Sequence, residues 1–317
     1  MLPRELSRLH LIGAPSPIRR LAGLSDVWPD LRVWSKEDGN LGPLGGGSKL
    51  RNLEFLLAHA LDCSARRLIV LGLWRSNFIR AVARYARIYD LPVVALVGGD
   101  AHLPPHVPAP DHFGKGVTIR HVSLARLVCA DRLVRALGPT LGGSSNSYWL
   151  PIGGASPIGC QGPLCAALEL QDQIAAGVVP CPNTILLPLG SGGTLAGLAA
   201  GLRFTGFNGR LIGVRVCGGP GNRTVSRLAA RALTVHQPGA RPLKFKIGHV
   251  PESSRPQEVV VDEMIAAIRK IDGIELDEHY TGPAMLGLRA MANAHKLRGD
   301  TLFWNTKSRP FDQTQNL

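Results

Sequence analysis

Short apolar segments alternate with helix-period segments along most of the chain, and this alternation restricts the fold more than any other feature. After Arg66, "RLIVLGL" and "PVVALVG" are typical of buried strands, whereas "SNFIRAVARYARIY" and "LARLVCADRLVRAL" have the apolar spacing of helices. After Pro151 the alternation resumes, with "TILLPLG" and "RLIGVRV" as strands and "TLAGLAAGLRF" as a helix. Strands that alternate with helices predict parallel sheets covered by helices. We therefore expect an α/β chain of two units, with a seam between Pro139 and Pro157.

The composition supports a globular chain of about two domains, because 45% of its 317 residues are hydrophobic. No apolar block has the length of a signal peptide or of a membrane span, so we expect a cytoplasmic protein without membrane contact. The cysteines lack the spacing of metal sites or disulfide frameworks, which predicts no metal site and reduced, mostly buried thiols. They are Cys63, Cys129, Cys160, Cys165, Cys181 and Cys217.

The net charge of +13 raises the question of a nucleic-acid partner. The basic residues are dispersed, aromatic residues make up only 5% of the chain, and no nucleic-acid-binding module is recognisable. We therefore expect no nucleic-acid partner and a preference for anionic ligands.

A glycine-rich turn follows the strand "TILLPLG" and precedes a helix. Successive N–H groups in such a turn, together with the positive end of the helix dipole, favour phosphate binding. The segment is not a dinucleotide fingerprint, since Leu195 stands where a third glycine is needed, and it has no Walker lysine. A turn that binds nothing is the alternative. The predicted phosphate-binding residues are Gly190, Ser191, Gly192, Gly193 and Thr194.

A second glycine run, "LGGGSKLRNLEF", places Lys49 at the start of a helix for which Ser48 is a natural N-cap. The helix dipole disfavours the ammonium form there, and an uncharged amine can attack an aldehyde. A solvated first-turn lysine is the alternative. Together with the polar Ser76–Asn77 pair at a strand end, these features provide what pyridoxal 5'-phosphate needs: a phosphate cup, an amine and a donor beside the ring.

The chain resembles the fold-type II pyridoxal-phosphate enzymes related to the tryptophan synthase β subunit, and among them the D-cysteine desulfhydrase and 1-aminocyclopropane-1-carboxylate deaminase family. The resemblance runs from "APSPI" to "FWNT". It implies two domains, each an open, mostly parallel sheet flanked by helices, with the cofactor in the cleft between them. Residues 1–51 plus 156–317 would form the large cofactor-binding domain, and residues 52–155 the small α/β domain. We also expect a homodimer.

The resemblance also assigns roles to individual residues. Lys49 in "GGSKLRNLE" would hold the cofactor covalently, and Asn77 in "RSNFIR" would lie along its ring. Ser76 would reach the carboxylate of a small amino acid substrate, and Tyr280 in "HYTG" would project towards that substrate. Thr306 in "NTKS" would meet the ring nitrogen. The implied catalytic residues are Lys49, Ser76 and Tyr280.

Two positions bear on the substrate. Threonine at positions 281 and 306 resembles the desulfhydrases, whereas the cyclopropane deaminases tend to have glutamate and leucine there. The chain departs from the family pattern at other positions near the cofactor, namely Ser48, Asn52, Arg75 and Lys307–Ser308.

The resemblance implies β-elimination from a small amino acid, with D-cysteine giving pyruvate, sulfide and ammonia. Alternatives are a cyclopropane deaminase, a β-replacement synthase or dehydratase of the same fold, and a phosphate-ligand-binding protein without turnover.

Overall fold

The computed structural model describes most of the chain and contains two separate sheets, each flanked by helices. The described residues are 6–74, 76–99, 113, 116–140, 146–250 and 257–307. Within them, no helix combines the length and the apolar character needed to cross a membrane.

The larger sheet has six strands in the order β1-β2-β10-β7-β8-β9. Only the β1–β2 pair is antiparallel, and every other neighbouring pair in this sheet is parallel. The strands are β1 (Ile18–Leu21), β2 (Leu31–Glu37), β7 (Thr184–Leu189), β8 (Arg210–Arg215), β9 (Phe245–His249) and β10 (Gly299–Asn305).

The smaller sheet has four parallel strands in the order β5-β4-β3-β6. They are β3 (Arg67–Leu73), β4 (Val93–Gly98), β5 (Val117–His121) and β6 (Ser147–Leu150). The helices of both parts are α1 (Ala22–Val27), α2 (Lys49–Asp62), α3 (Asn77–Ala86), α4 (Leu124–Leu137), α5 (Gln161–Ala175), α6 (Gly193–Gly201), α7 (Asn222–Thr234), α8 (Gln257–Asp272) and α9 (Thr281–Asn293).

Strand β10 shows why the larger sheet carries helices on both faces. Successive side chains of a strand point to opposite faces, so a strand that is apolar throughout must be covered twice. Leu302 and Trp304 lie in one hydrophobic cluster with residues of α5, α6 and α7. Phe303 lies in a different cluster with residues of α1, α8 and α9. Both faces of the larger sheet are therefore core.

The predicted α/β class with two mostly parallel sheets is confirmed. The predicted seam between Pro139 and Pro157 contains β6, which still pairs with β3 of the smaller sheet. The division at 51/52 and 155/156 stays a prediction, and α2 runs across the first of these points. The expectation of mostly buried thiols is wrong, because Cys63, Cys129, Cys181 and Cys217 are exposed. All six cysteines are free.

A buried ionic network joins α2 to the larger sheet and to α5. The guanidinium of Arg51 donates to both carboxylate oxygens of Asp38 and to both of Glu169, at 2.8 to 3.0 Å. Lys36, fully buried, also pairs with Glu169. Burial opposes the ionisation of Glu169, but the hydrogen bonds and charge of Arg51 outweigh it, so its pKa lies below the usual 4.5. Buried charges are tolerated only when they are paired in this way.

We predict that Glu169→Gln lowers the free energy of unfolding by about 3 kcal/mol at neutral pH, because it leaves buried cations undercompensated. Glu275→Gln is the matched control, since Glu275 also pairs with two cations, Arg269 and Lys307, but its side chain is 54% exposed. Exposed pairs contribute less than about 1 kcal/mol. Urea unfolding of both variants measures the difference, and equal losses would contradict the prediction.

Since the folded pKa of Glu169 is lowered, its stabilisation is present above the unfolded pKa and disappears as the pH falls through the folded value. The difference between Glu169→Gln and the unmodified chain should therefore shrink in acid.

Candidate active site

Lys49 is the first residue of α2 and follows three glycines with left-handed backbone. The φ angles of Gly45, Gly46 and Gly47 are 76°, 110° and 56°, a region that side chains with a Cβ rarely adopt. A Cβ on Gly46 would also lie 2.9 Å from Cδ2 of Leu50. The glycine run is therefore required by the turn that sets Lys49 at the helix start.

Lys49 is half-buried, and burial lowers the pKa of its amine below the usual 10.5, against an opposing attraction from Asp277. Ser48 precedes it at the N-cap position but has helical backbone angles and makes no capping hydrogen bond. Its hydroxyl instead donates to the carbonyl of Thr306 at 3.4 Å. The predicted cap at Ser48 is thus wrong, and the residue ties the start of α2 to the end of β10.

The predicted phosphate turn lies between β7 and α6. Among the described residues, none of the N–H groups from Gly190 to Thr194 donates a hydrogen bond. Gly192 has a φ of 89° and stands at the helix N-cap. A Cβ on Gly193 would lie 3.3 Å from Cα of Ala155. Unpaired N–H groups at a helix start are what a phosphate requires.

Asn52 adds a further donor to this turn. Asn52 is only 2% exposed, and its side-chain nitrogen lies 3.5 Å from the position that a Cβ on Gly193 would take. No described residue forms a hydrogen bond with its side-chain amide. The amide nitrogen therefore stands beside a row of unpaired N–H groups, where it can donate to an anion bound at the turn. The sequence feature that could have identified Asn52 as a site residue is its position, three residues after Lys49 on the same helix.

Tyr280 lies on the other side of the turn. A Cβ on Gly190 would lie 3.0 Å from Cε1 of Tyr280, so the aromatic ring packs directly on this glycine. Burial raises the pKa of the phenol to about 12, and the charges of Cys217 and Asp277 act in the same direction. The phenol is therefore protonated at neutral pH and can donate a proton.

Ser76 and Asn77 lie at the start of α3, in the smaller sheet's part of the chain. The hydroxyl of Ser76 accepts the N–H of Ile79 at 3.3 Å, and Asn77 accepts from Arg80 at 3.4 Å. Both described interactions are within their own helix. The helix itself packs on the turn before Lys49, where the Tyr85 hydroxyl donates to the carbonyl of Gly45 at 3.0 Å. Arg75 lies outside the described residues.

The sheet topology explains why several of these residues meet. Strands β7 and β10 are parallel neighbours, so the turn after β7 and Thr306 after β10 lie at the same edge of the sheet. Ligands of open α/β sheets bind at this edge. The structure thus brings together Lys49, the turn at 190–194, Tyr280 and Thr306. Ser76 and Asn77 are connected to this group through α3, which packs on the glycine turn before Lys49.

Comparison with known proteins identifies relatives that match most of the chain. The family described as "Pyridoxal-phosphate dependent enzyme" matches residues 9–306. The D-cysteine desulfhydrase of Salmonella paratyphi A is 30% identical over 89% of this chain and 87% of its own. That of Yersinia pestis (strain Pestoides F) is 30% identical over 96% and 95%.

A solved structure described as an ACC deaminase homologue superposes with a TM-score of 0.79 at 27% identity, covering 97% of this chain and 93% of the other. A fungal L-serine ammonia-lyase from Rhizomucor miehei shares the fold, with a TM-score of 0.64 at 14% identity over 94% and 95%. The chain belongs to the family of pyridoxal-phosphate dependent enzymes. It has the fold-type II architecture, and its cofactor is pyridoxal phosphate.

We predict that Lys49 in cofactor-free protein reacts with acetic anhydride at lower pH than an ordinary exposed lysine does, because its pKa is lowered. Peptide mass mapping of the acetylated fraction against pH gives the midpoint. In Asp277→Asn the midpoint should fall further, since the carboxylate favours the charged amine. A midpoint equal to that of an exposed lysine would contradict the assigned environment.

Proposed function

We propose that this enzyme is a lyase that removes a leaving group from the β carbon of a small amino acid, with D-cysteine as the preferred substrate. The observation that carries the proposal is the meeting of a half-buried lysine, a row of unpaired N–H groups and a protonated phenol at one sheet edge. These groups fit pyridoxal phosphate: Lys49 for its aldehyde, residues 190–194 with Asn52 for its phosphate, Asn77 beside its ring and Thr306 for its ring nitrogen.

When bound, the cofactor withdraws electrons from the substrate's α carbon and so weakens the Cα–H bond. Ser76 receives the substrate carboxylate. Lys49, once the substrate's amino group has displaced it from the aldehyde, would take the α proton, and burial lowers the pKa of its free amine. Tyr280 is the donor for the departing sulfur. Loss of sulfide leaves an unsaturated amine, and water hydrolyses it to pyruvate and ammonia.

D-cysteine is favoured by two observations. Relatives about 30% identical over most of their length are D-cysteine desulfhydrases. In addition, the threonines at positions 281 and 306 resemble the desulfhydrases. Deamination of 1-aminocyclopropane-1-carboxylate is the second candidate, supported by the structural similarity to the ACC deaminase homologue. The homodimer and the cytoplasmic location stay predictions.

The phosphate assignment is tested by cofactor retention. Asn52→Leu should weaken retention, because the buried amide donor is lost from the turn, and a hydrogen bond to a charged group contributes roughly 1.5–3 kcal/mol. Leu53 is the adjacent fully buried residue, so Leu53→Met serves as the packing control. Absorbance of the bound cofactor after dialysis measures retention. Equal retention in both variants would remove Asn52 from the phosphate site.

The reaction is tested in two parts. Borohydride reduction followed by peptide mapping should find the cofactor on Lys49, and a label on another lysine would overturn that assignment. Release of keto acid and sulfide should then be highest for D-cysteine among D-cysteine, L-cysteine, D-serine and the cyclopropane amino acid. Tyr280→Phe should lower kcat more than it changes KM, because a proton donor acts in the transition state. Fastest turnover of the cyclopropane compound would favour the second candidate.

A further inference from the structure

The segment from Asp277 to Gly282, which we call the Asp277 turn, is organised around a single carboxylate. Oδ1 of Asp277 accepts the N–H groups of His279 at 3.0 Å and Tyr280 at 2.6 Å. Oδ2 accepts the N–H of Thr281 at 3.3 Å. Three consecutive backbone N–H groups, with that of Tyr280 in the middle, are thus bound to one side chain.

Thr281 completes the turn from inside. The residue is fully buried, and its hydroxyl donates to Oδ2 of Asp277 at 2.8 Å while accepting the backbone N–H of Asp277 at 2.7 Å. The N–H of Gly282 donates to the carbonyl of Asp277 at 2.8 Å, and a Cβ on Gly282 would lie 2.8 Å from that oxygen. A hydroxyl has one proton to donate, and that of Thr281 is used within the turn.

Tyr280 depends on this turn for its position. Its phenol oxygen forms no hydrogen bond with the described residues, so the ring is placed by its backbone and by packing on Gly190. The backbone angles of Tyr280, φ −125° and ψ −65°, differ from those of the helix that follows. Small movements of this backbone therefore move the phenol relative to the phosphate turn.

We propose that Asp277 and Thr281 are positioning residues that hold Tyr280 for the reaction. The proposal rests on the proposed function for the role of Tyr280. The alternative is an ordinary helix cap, which would stabilise α9 without any link to the phenol.

Hydrogen exchange tests whether the turn is held in this way. Thr281→Val keeps the shape of the side chain but removes its hydroxyl. Thr301→Val is the matched control, because Thr301 is also fully buried and its hydroxyl has no hydrogen-bond partner in the described part of the chain. Amide exchange in the peptide spanning 278–282 should be faster in Thr281→Val and unchanged in Thr301→Val, in the cofactor-loaded protein. Unchanged exchange in Thr281→Val would overturn the proposal.

Kinetics separate positioning from capping. Thr281→Val should lower kcat by about 10- to 100-fold with a smaller change in KM, since a misplaced catalytic group costs about that much. Thr281→Ser retains the hydroxyl and should restore most of kcat. In a Tyr280→Phe background, Thr281→Val should cause little further loss, because the phenol through which it acts is already absent. Equal losses of kcat in both backgrounds would identify an ordinary cap and overturn the proposal.

The same experiments distinguish this proposal from the proposed function. If the unmodified, cofactor-loaded protein releases no keto acid from any amino acid tested, the proposed function fails. The positioning role in a reaction then fails with it, whereas the exchange comparison still decides whether Asp277 and Thr281 hold Tyr280. If D-cysteine is turned over and Thr281→Val leaves kcat unchanged, the proposed function stands and the positioning proposal is overturned.

Discussion

The site depends on the hydrogen bonds and ion pairs of the Arg51 guanidinium. It is buried, and it binds Asp38 after β2, Glu169 in α5 and the hydroxyl of Ser16. Lys49 lies two residues earlier in the same helix, so the contacts that fix Arg51 also fix the first turn of α2. A cation buried this deeply must keep its partners, and the elements that supply them cannot move independently.

Strand β10 connects this network to the site. The indole nitrogen of Trp304 donates to Asp38 at 2.8 Å, and two residues later the carbonyl of Thr306 accepts from Ser48. One strand therefore carries both a partner of the network and a contact with the residue before Lys49. Because β10 also pairs in parallel with β7, the phosphate turn is held at the same edge. The pieces of the site are far apart in sequence but share one sheet.

Local patterns predicted what local forces determine. The segment "RLIVLGL" matches β3, and "LARLVCADRLVRAL" matches α4 residue for residue. Strands β1, β2, β6 and β9 were missed. The sequence of β2, "LRVWSKE", carries Arg32 and Lys36, which pair with Asp300 and Glu169 only in the folded structure. The environments of Asn52 and Asp277 could not be predicted from their own segments either. Asn52 meets Gly193, and Asp277 acts on Lys49, across more than a hundred residues of chain.

The charge balance at Lys49 follows from the same tertiary arrangement. Burial favours the uncharged amine, and a carboxylate in direct contact would reverse this preference. Asp277 is near enough to act on the amine, but no ion pair joins the two among the described contacts. Its carboxylate is occupied by three backbone N–H groups and the hydroxyl of Thr281. The turn that places Tyr280 thus also keeps this carboxylate from pairing with Lys49, which leaves the amine closer to the uncharged form that accepts a proton.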